Sequence, residues 1–420
     1  MKALTMERRL TRFAAARVAS VFGAGRGAGV GPLRLTDVAP PRRSSSDWFE
    51  VTPVLAGICG SDLATIDGRS SRYFEDIVSF PFIPGHEILG IVADGATDAH
   101  GASLAPGSRV VIQPVLGCAT RGIDLCRACA TGDTGRCESL GIGHLHPGLQ
   151  TGFCSDTGGG WSEGPLVAHS SQIFPVPADM SDDDAVTIEP MACALHAALR
   201  CDYDETSTVA VIGAGTLGLG VIASISFLAE SGRAPRPATL VAGARYPGQR
   251  QLARQFGADV VVSPEHLPRA VRSSTRSLVT GEPTGTSGQL TGGADIVIDC
   301  VGSSESLTES LRIVAPGGRV VVVGMPGKVS LDLASLWHRE VEMRGAYAYG
   351  AEEVPEGRVR TFDLATEMVA AMRTGRLVSA RYPLDRFEEA LAHAGAAGRR
   401  GAVKIVFEAG PRRSTLKRED

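Results

Sequence analysis

At 420 residues the chain is too long for one hydrophobic core, so two domains are expected. Its 43% hydrophobic and 21% charged residues are ordinary for a globular protein, and 42 Lys+Arg against 46 Asp+Glu (net −4) exclude a general polyanion binder. No stretch reaches the roughly 18 consecutive apolar residues of a membrane-spanning helix, while 51 glycines and 24 prolines point to many tight turns.

Met1 to Phe22 carries Lys2, Arg8, Arg9, Arg12 and Arg17 among apolar residues. Glu7 and the lack of a long apolar core argue against a leader, so the segment reads as a first strand followed by a basic surface turn rather than an interfacial helix. From Leu4 to Ile173 short apolar runs such as Trp48-Phe49-Glu50-Val51 and Arg109-Val110-Val111-Ile112 are cut by Gly and Pro, which predicts an antiparallel β domain. Five of the nine cysteines fall between residues 59 and 137. In a chain without an export signal this usage predicts a reducing, cytoplasmic setting, with thiols kept for metal or chemistry.

Two groups of residues in this region have metal-ligand chemistry. Gly57-Ile58-Cys59-Gly60-Ser61-Asp62 and Pro84-Gly85-His86-Glu87 offer a thiolate, an imidazole and a carboxylate, and Ile188-Glu189-Pro190-Met191 adds a further carboxylate. Those are the ligand types of an open catalytic zinc site, where the metal lowers the pKa of a bound alcohol and polarises a carbonyl. Ser61 stands two residues from Cys59, placed to carry a proton away. Cys126-x2-Cys129-x7-Cys137 has the spacing of a structural zinc loop, with Cys118 eight residues upstream as the fourth thiolate.

From Thr208 the texture changes. Val209-Ala210-Val211-Ile212 is a continuous buried-strand run, followed by a glycine turn and a helix from about Leu217 to Ala229. Further strands are predicted at Leu240-Val241-Ala242, 260–262, 295–299 and 320–323, separated by helices over Gln249 to Phe256 and Glu305 to Val314. That alternation predicts a doubly wound parallel sheet. Ser263 to Gly293 reads as a polar excursion with little structure, and Arg412 to Asp420 as a frayed tail. The resulting division is 1–188, 189–336 and a C-terminal return over 337–420.

Gly213-Ala214-Gly215-Thr216-Leu217-Gly218 fits G-x-G-x-x-G between strand and helix, where the glycines let the backbone approach a pyrophosphate. An NAD site usually places an acid at the end of the second strand, yet no Asp or Glu lies between Glu230 and Asp259. The strand ends Gly243-Ala244-Arg245-Tyr246, with Arg250 a turn later. A small residue followed by arginine favours the 2′-phosphate of NADP, unless Arg245 merely caps a surface strand.

Taken together, Gly57 to Leu63, Gly85-His86-Glu87, the four-cysteine loop, Gly213 to Gly218 and Asp299-Cys300-Val301-Gly302 resemble the zinc-containing medium-chain alcohol dehydrogenase family over about Leu33 to Phe407. Glu189-Pro190 followed by Ala194-Leu195-His196-Ala197 looks more like its sorbitol, threonine and glucose dehydrogenase branch. The resemblance implies a GroES-like β-rich catalytic domain, completed by the C-terminal segment, and a Rossmann domain. It implies a catalytic zinc surrounded by Cys59, His86 and Glu189, with Glu87 as a direct ligand or a close carboxylate behind it. Ser61 would begin the proton relay, and Val301 would join Gly213, Gly215, Leu217 and Gly218 around the cofactor. The reaction implied is hydride transfer between a zinc-bound secondary alcohol, polyol or sugar and NADP, in a homodimer or homotetramer without nucleic-acid or membrane partners. Two departures stand out. Ile123 occupies the place of the loop's first cysteine, with Cys118 displaced by Ala119-Thr120-Arg121-Gly122-Ile123, and Ala64 replaces the histidine that many members use to pass the proton to solvent. A catalytically idle, nucleotide-binding or redox-sensing relative of the same fold is the alternative these departures raise. Specificity is expected to lie near Phe74, Trp161 and Trp337-His338.

Overall fold

A computed structural model describes residues 1–280 and 288–409. It divides into two compact units, one of Met1–Glu189, Val378–Ala397 and the chain from Lys404, the other of Pro190–Leu377 and Gly398–Val403.

The first unit is built on a seven-stranded sheet. Its path runs Val378–Pro383, Lys404–Glu408, Trp48–Gly57, Ile88–Val92, Arg109–Ile112, Ile173–Pro175, and Leu166–His169 pairs with the front half of Trp48–Gly57. All pairings are antiparallel except that between Val378–Pro383 and Lys404–Glu408. Alternation along the strands puts Val51, Ile88, Val92, Val110, Ile112, Leu166, Ala168 and Ile173 into one core. Pro53 is tolerated inside the long central strand because the register shifts between it and Leu55.

Residues 2–6 form the expected first strand, paired with Leu33–Asp37. The chain then enters a helix, Leu10–Ala19, and not the basic turn expected, since alanines at 14, 15 and 16 carry helix propensity that outweighs the arginine clustering.

The second unit carries a six-stranded, wholly parallel sheet in the order Val260–Val262, Thr239–Gly243, Thr208–Ile212, Ala294–Asp299, Val314–Val322, Glu342–Gly345. This is the doubly wound order whose topological switch point falls between Thr208–Ile212 and Ala294–Asp299. Every residue of Thr208–Ile212 is buried, as its unbroken apolar run requires of a strand covered on both faces. Two expectations are corrected. Ser263 to Gly293 contains the helix Leu267–Thr275, whose Leu267 and Val271 enter the sheet core, and the short hairpin Val279–Thr280/Gln289–Leu290; its polar composition hides a two-residue apolar anchor. The C-terminal return begins at Val378 instead of 337, because Glu342–Gly345 hydrogen-bonds parallel to Val314–Val322 and completes the second unit's sheet. The tail at 412–420 and residues 281–287 of the excursion lie outside the described residues.

Candidate metal and cofactor sites

Strand Trp48–Gly57 delivers Cys59 to the start of the helix Gly60–Ile66, and strand Ile88–Val92 is preceded by His86 and Glu87. Pairing of the two strands, with Gly57 N–H donating to Glu87 O at 2.8 Å, brings the three residues together. Cys59, His86 and Glu87 each present a ligand atom within 4.8 Å of the others; Cys59 is half-buried and the other two are buried. A side chain at 57 could not coexist with this arrangement, since a Cβ there would fall 1.7 Å from Glu87 Oε2.

Two residues that sequence reasoning gave no role complete the cluster. Asp62 accepts the Cys59 N–H at 2.9 Å through Oδ2 and turns Oδ1 toward His86 Nδ1 at 3.5 Å. Burial opposes a charge on His86, but Asp62 and Cys59 outweigh it and hold the imidazole's proton well above its usual range. Lys404, 2% exposed, pairs with Glu87 and donates to Ile58 O at 3.1 Å. Burial pulls its pKa down and the charges of Glu87, Cys59 and Glu189 raise it, with a net rise. The lysine comes from strand Lys404–Glu408, so no local pattern around residue 59 or 86 could have revealed it. Glu189 is buried, in the first turn of helix Ile188–Leu199, and lies outside the trio of ligand atoms, although its charge is felt at Lys404. Ser61 is half-buried in the helix that Cys59 begins. Trp161 is fully buried, donating to Gly57 O at 3.1 Å and packed edge-on against Phe407, so it supports the strand instead of lining a pocket as expected. A thiolate, an imidazole and a carboxylate converging beside an internal cation suit a divalent metal of borderline softness such as zinc.

The four-cysteine lobe does gather its thiols. Cys118, Cys126, Cys129 and Cys137 lie within 4.8 Å of one another, with Cys118 and Cys137 sulfurs 3.7 Å apart. The inserted residues coil into a 3-10 turn at Ala119–Arg121, and Gly122 at φ +62° turns the chain so that Ile123 N–H bonds back to Cys118 O. Backbone N–H groups of Cys126, Cys129, Glu138 and Ser139 point at cysteine sulfurs at 3.3–3.4 Å. The Glu138 amide leads in drawing the Cys126 thiol down to about 6, against the opposing effect of burial. Amide donors to sulfur favour the thiolate form that a metal requires, so this donor set fits a closed tetrahedral zinc.

In the second unit, Gly213 adopts φ +89° directly after strand Thr208–Ile212, and helix Thr216–Glu230 begins after Gly215. A Cβ on Gly218 would stand 1.8 Å from Gly213 O, whereas at Gly215 none of the described residues lies within 4 Å, leaving its exposed backbone open to a ligand. Leu217 sits in the helix's first turn, and Val301 is 48% exposed at the rim, its N–H held by Asp299 at 2.7 Å. Next to this loop's neighbouring strand, an open concavity of about 560 Å³ is lined by Arg245, Arg250, Arg254, Ser263, Glu265 and His266. Arg245 is exposed, while Arg250 donates to the carbonyls of Ala244 and Arg245 at 3.1 and 2.8 Å. The acid-free second strand thus has Glu265 as a neighbour after all, drawn in from the stretch expected to lack structure. Three arginines line the concavity with that one carboxylate, which itself bonds to Ser263.

The chain matches the model of the alcohol dehydrogenase GroES-like domain over residues 45–178 and that of zinc-binding dehydrogenases over 237–363. It is 25% identical to a sorbitol dehydrogenase of Bacillus subtilis over 355 residues, covering 83% of this chain and 86% of the relative. Among solved structures, galactitol-1-phosphate dehydrogenase from Escherichia coli shares the fold with a TM-score of 0.67 at 20% identity, covering 97% of this chain and all of that one. A Sinorhizobium meliloti protein described as a zinc-binding dehydrogenase and bound to NADP superposes with a TM-score of 0.62 at 24% identity, over 90% of this chain and 96% of that one. With both of its domain models matched, one in each half, and the same architecture in these relatives, the protein belongs to the zinc-containing medium-chain alcohol dehydrogenase family.

Proposed function

We propose that this protein is a zinc-dependent dehydrogenase that moves a hydride between the carbinol carbon of a polyol, sugar or other secondary alcohol and NADP. The observation that carries the reading is the meeting of Cys59, His86 and Glu87 ligand atoms within 4.8 Å beside the buried Lys404. Zinc held there supplies a Lewis acid for the substrate oxygen, and NADP supplies the hydride acceptor. Around them the chain's own residues have distinct work. Asp62 fixes the His86 ring, Lys404 balances the charge of Glu87, and Glu189 stands by as a second carboxylate. Ser61 takes the substrate's hydroxyl proton as it gives up its own to water or a cofactor hydroxyl, since Ala64 has no group to continue the relay. Cys118, Cys126, Cys129 and Cys137 hold a second, structural zinc.

The arginine-lined concavity at the end of the second strand supports NADP over NAD, with Arg245 assigned to the 2′-phosphate in this reading. The polyol class is supported by relatives whose names specify sorbitol and galactitol-1-phosphate. A cytoplasmic location and a homodimer or homotetramer belong to the same reading.

The test is nicotinamide absorbance in zinc-loaded protein, offering NADP+ and NAD+ with polyols, aldoses and simple alcohols, with and without a chelator. Chelator-sensitive reduction of NADP+ that disappears in Cys59→Ala, with NADPH binding intact, is the expected result. Unchanged turnover in that variant would reject the assignment, and a zinc-loaded protein preferring NAD+ would reject the role of Arg245 alone.

A further inference from the structure

The segment between the first two strands is a built feature that the dehydrogenase chemistry does not use. Ala16, fully buried, packs toward Gly27 and Gly31, and Arg17 donates to Gly68 O at 2.9 Å. Asp67, also fully buried, accepts the N–H groups of Gly25 and Gly27 at 2.9 and 3.0 Å. Gly25 approaches the chain so closely that a Cβ would lie 2.2 Å from Leu391 O. The helix Leu10–Ala19 and the turn Ser20–Phe22 are therefore clamped by one face, to the end of the helix that Cys59 begins.

The opposite face is apolar, and among the described residues nothing covers it. Leu10, Ala14 and Val18 repeat at four-residue spacing along it, and the turn extends it with Val21 and Phe22. Leu10 is 79% exposed, Val18 67%, and Val21 and Phe22 82% each. Leaving such side chains in water is unfavourable unless something receives them. Residues 7–32 hold five arginines and one acid, Glu7, which is itself paired with Arg9 at 2.6 Å. The segment's own side chains sum to +4 in a chain of net −4; the Asp67 and Glu388 carboxylates lie against its glycines at 25–29, and the arginines beside the apolar ridge still select an anionic partner. Four protruding side chains cover on the order of a few hundred Å², well short of the ~800 Å² per partner of a stable protein interface. A shallow apolar ridge flanked by arginines is instead the form of a helix lying in a lipid headgroup layer.

We propose that Leu10–Phe22 is a peripheral docking face for anionic phospholipid membranes. Leu10, Val18, Val21 and Phe22 enter the interface, and Arg8, Arg9 and Arg26 meet the headgroup charges. The basic turn without a membrane partner expected from sequence becomes a membrane-facing helix once its outward side is seen to be apolar.

The full-length protein should co-sediment with phosphatidylcholine vesicles containing phosphatidylserine, and much less with phosphatidylcholine alone. Val21→Ser/Phe22→Ser should weaken binding by about tenfold or more per side chain. Arg8→Gln/Arg9→Gln should weaken it by about fivefold per arginine, an effect that raised salt reproduces in the parent protein. Both variants change exposed side chains only, so their melting temperatures should match the parent's. No sedimentation with the anionic vesicles, or equal binding to both kinds, would overturn the proposal. So would a fall in native mass of Val21→Ser/Phe22→Ser, which would assign the face to a second copy of the chain.

Discussion

Lys404 offers the sharpest test of how the candidate catalytic cluster is balanced. Its ammonium and the Glu87 carboxylate are 2% and 1% exposed, so neither charge can turn to water when the other is removed. Replacing Lys404 with Met leaves Glu87 buried beside Cys59 without its cation. Breaking one side of such a pair costs about 3–5 kcal/mol, whereas replacing both partners by neutral groups of similar volume is close to neutral. At about 2–4 °C per kcal/mol for a unit of this size, Lys404→Met should lower the melting temperature by roughly 6–20 °C. Glu87→Gln alone should cost a similar amount, and Lys404→Met/Glu87→Gln should return to within about 1–2 kcal/mol of the parent. The measurement is urea unfolding of chelator-treated protein, followed through the buried Trp48 and Trp161 of the same unit. Costs that simply add in the double variant would refute the pairing. A loss below about 1 kcal/mol in Lys404→Met would refute the burial argument that makes the pair matter.

Other perturbations read other parts of the molecule. Arg245→Ser should lower kcat/KM for NADP+ by about 10–100-fold, the loss of a charge-assisted contact, and leave that for NAD+ unchanged. Cys118→Ser should reduce bound zinc by one equivalent per chain, measured by elemental analysis, and lower the melting temperature without changing NADPH binding. In zinc-free protein the folded His86 holds its proton above the ordinary 6.5, so the stabilisation from Asp62 is full below that pH and is lost as pH rises through the raised value. Asp62→Asn should flatten this profile in urea titrations taken across neutral pH, and lower zinc affinity at the same site by about 10–100-fold.

The features legible in sequence are those whose cause is local. A buried parallel strand such as Thr208–Ile212 announces itself by an unbroken apolar run, and the phosphate-loop glycines by their fixed spacing after it, of which Gly218 has no room for a Cβ. Cysteines at ligand spacing carry their geometry with them. Asp62 is visible in sequence only as a neighbour of Cys59, because its part depends on His86 arriving from another strand. Lys404 lies 346 residues beyond Ile58, whose carbonyl it reaches only because its strand pairs antiparallel with Trp48–Gly57. Helix Leu267–Thr275 is hidden for a different reason: only Leu267 and Val271 are buried in it, so a polar stretch holds a helix through two anchors. The helix Leu10–Ala19 is hard to recognise since Leu10, Ala14 and Val18 face outward while Ala16 alone is fully buried, the reverse of the periodic burial by which helices are identified.

The displaced Cys118 shows how an irregularity in a motif can be absorbed by the fold. Five inserted residues separate it from the usual position, and a random loop of that length would leave its thiol uncommitted. Here the insertion supplies its own constraint. Arg121, fully buried, donates to the carbonyls of Leu116, Ile142, Leu145, His146 and Gly148, tying both sides of the lobe to the turn that carries Cys118. Burial lowers its pKa, yet the guanidinium remains charged throughout the ordinary range and sits where Cys154, Cys137, Asp156 and Cys118 favour a cation. Four thiolates around one zinc would carry a net charge of about −2, so an internal cation beside them would offset part of what burying that charge costs. The same five residues that move Cys118 thus bring a buried cation to the four-thiol lobe, so the departure from the motif's spacing still leaves its four sulfurs gathered.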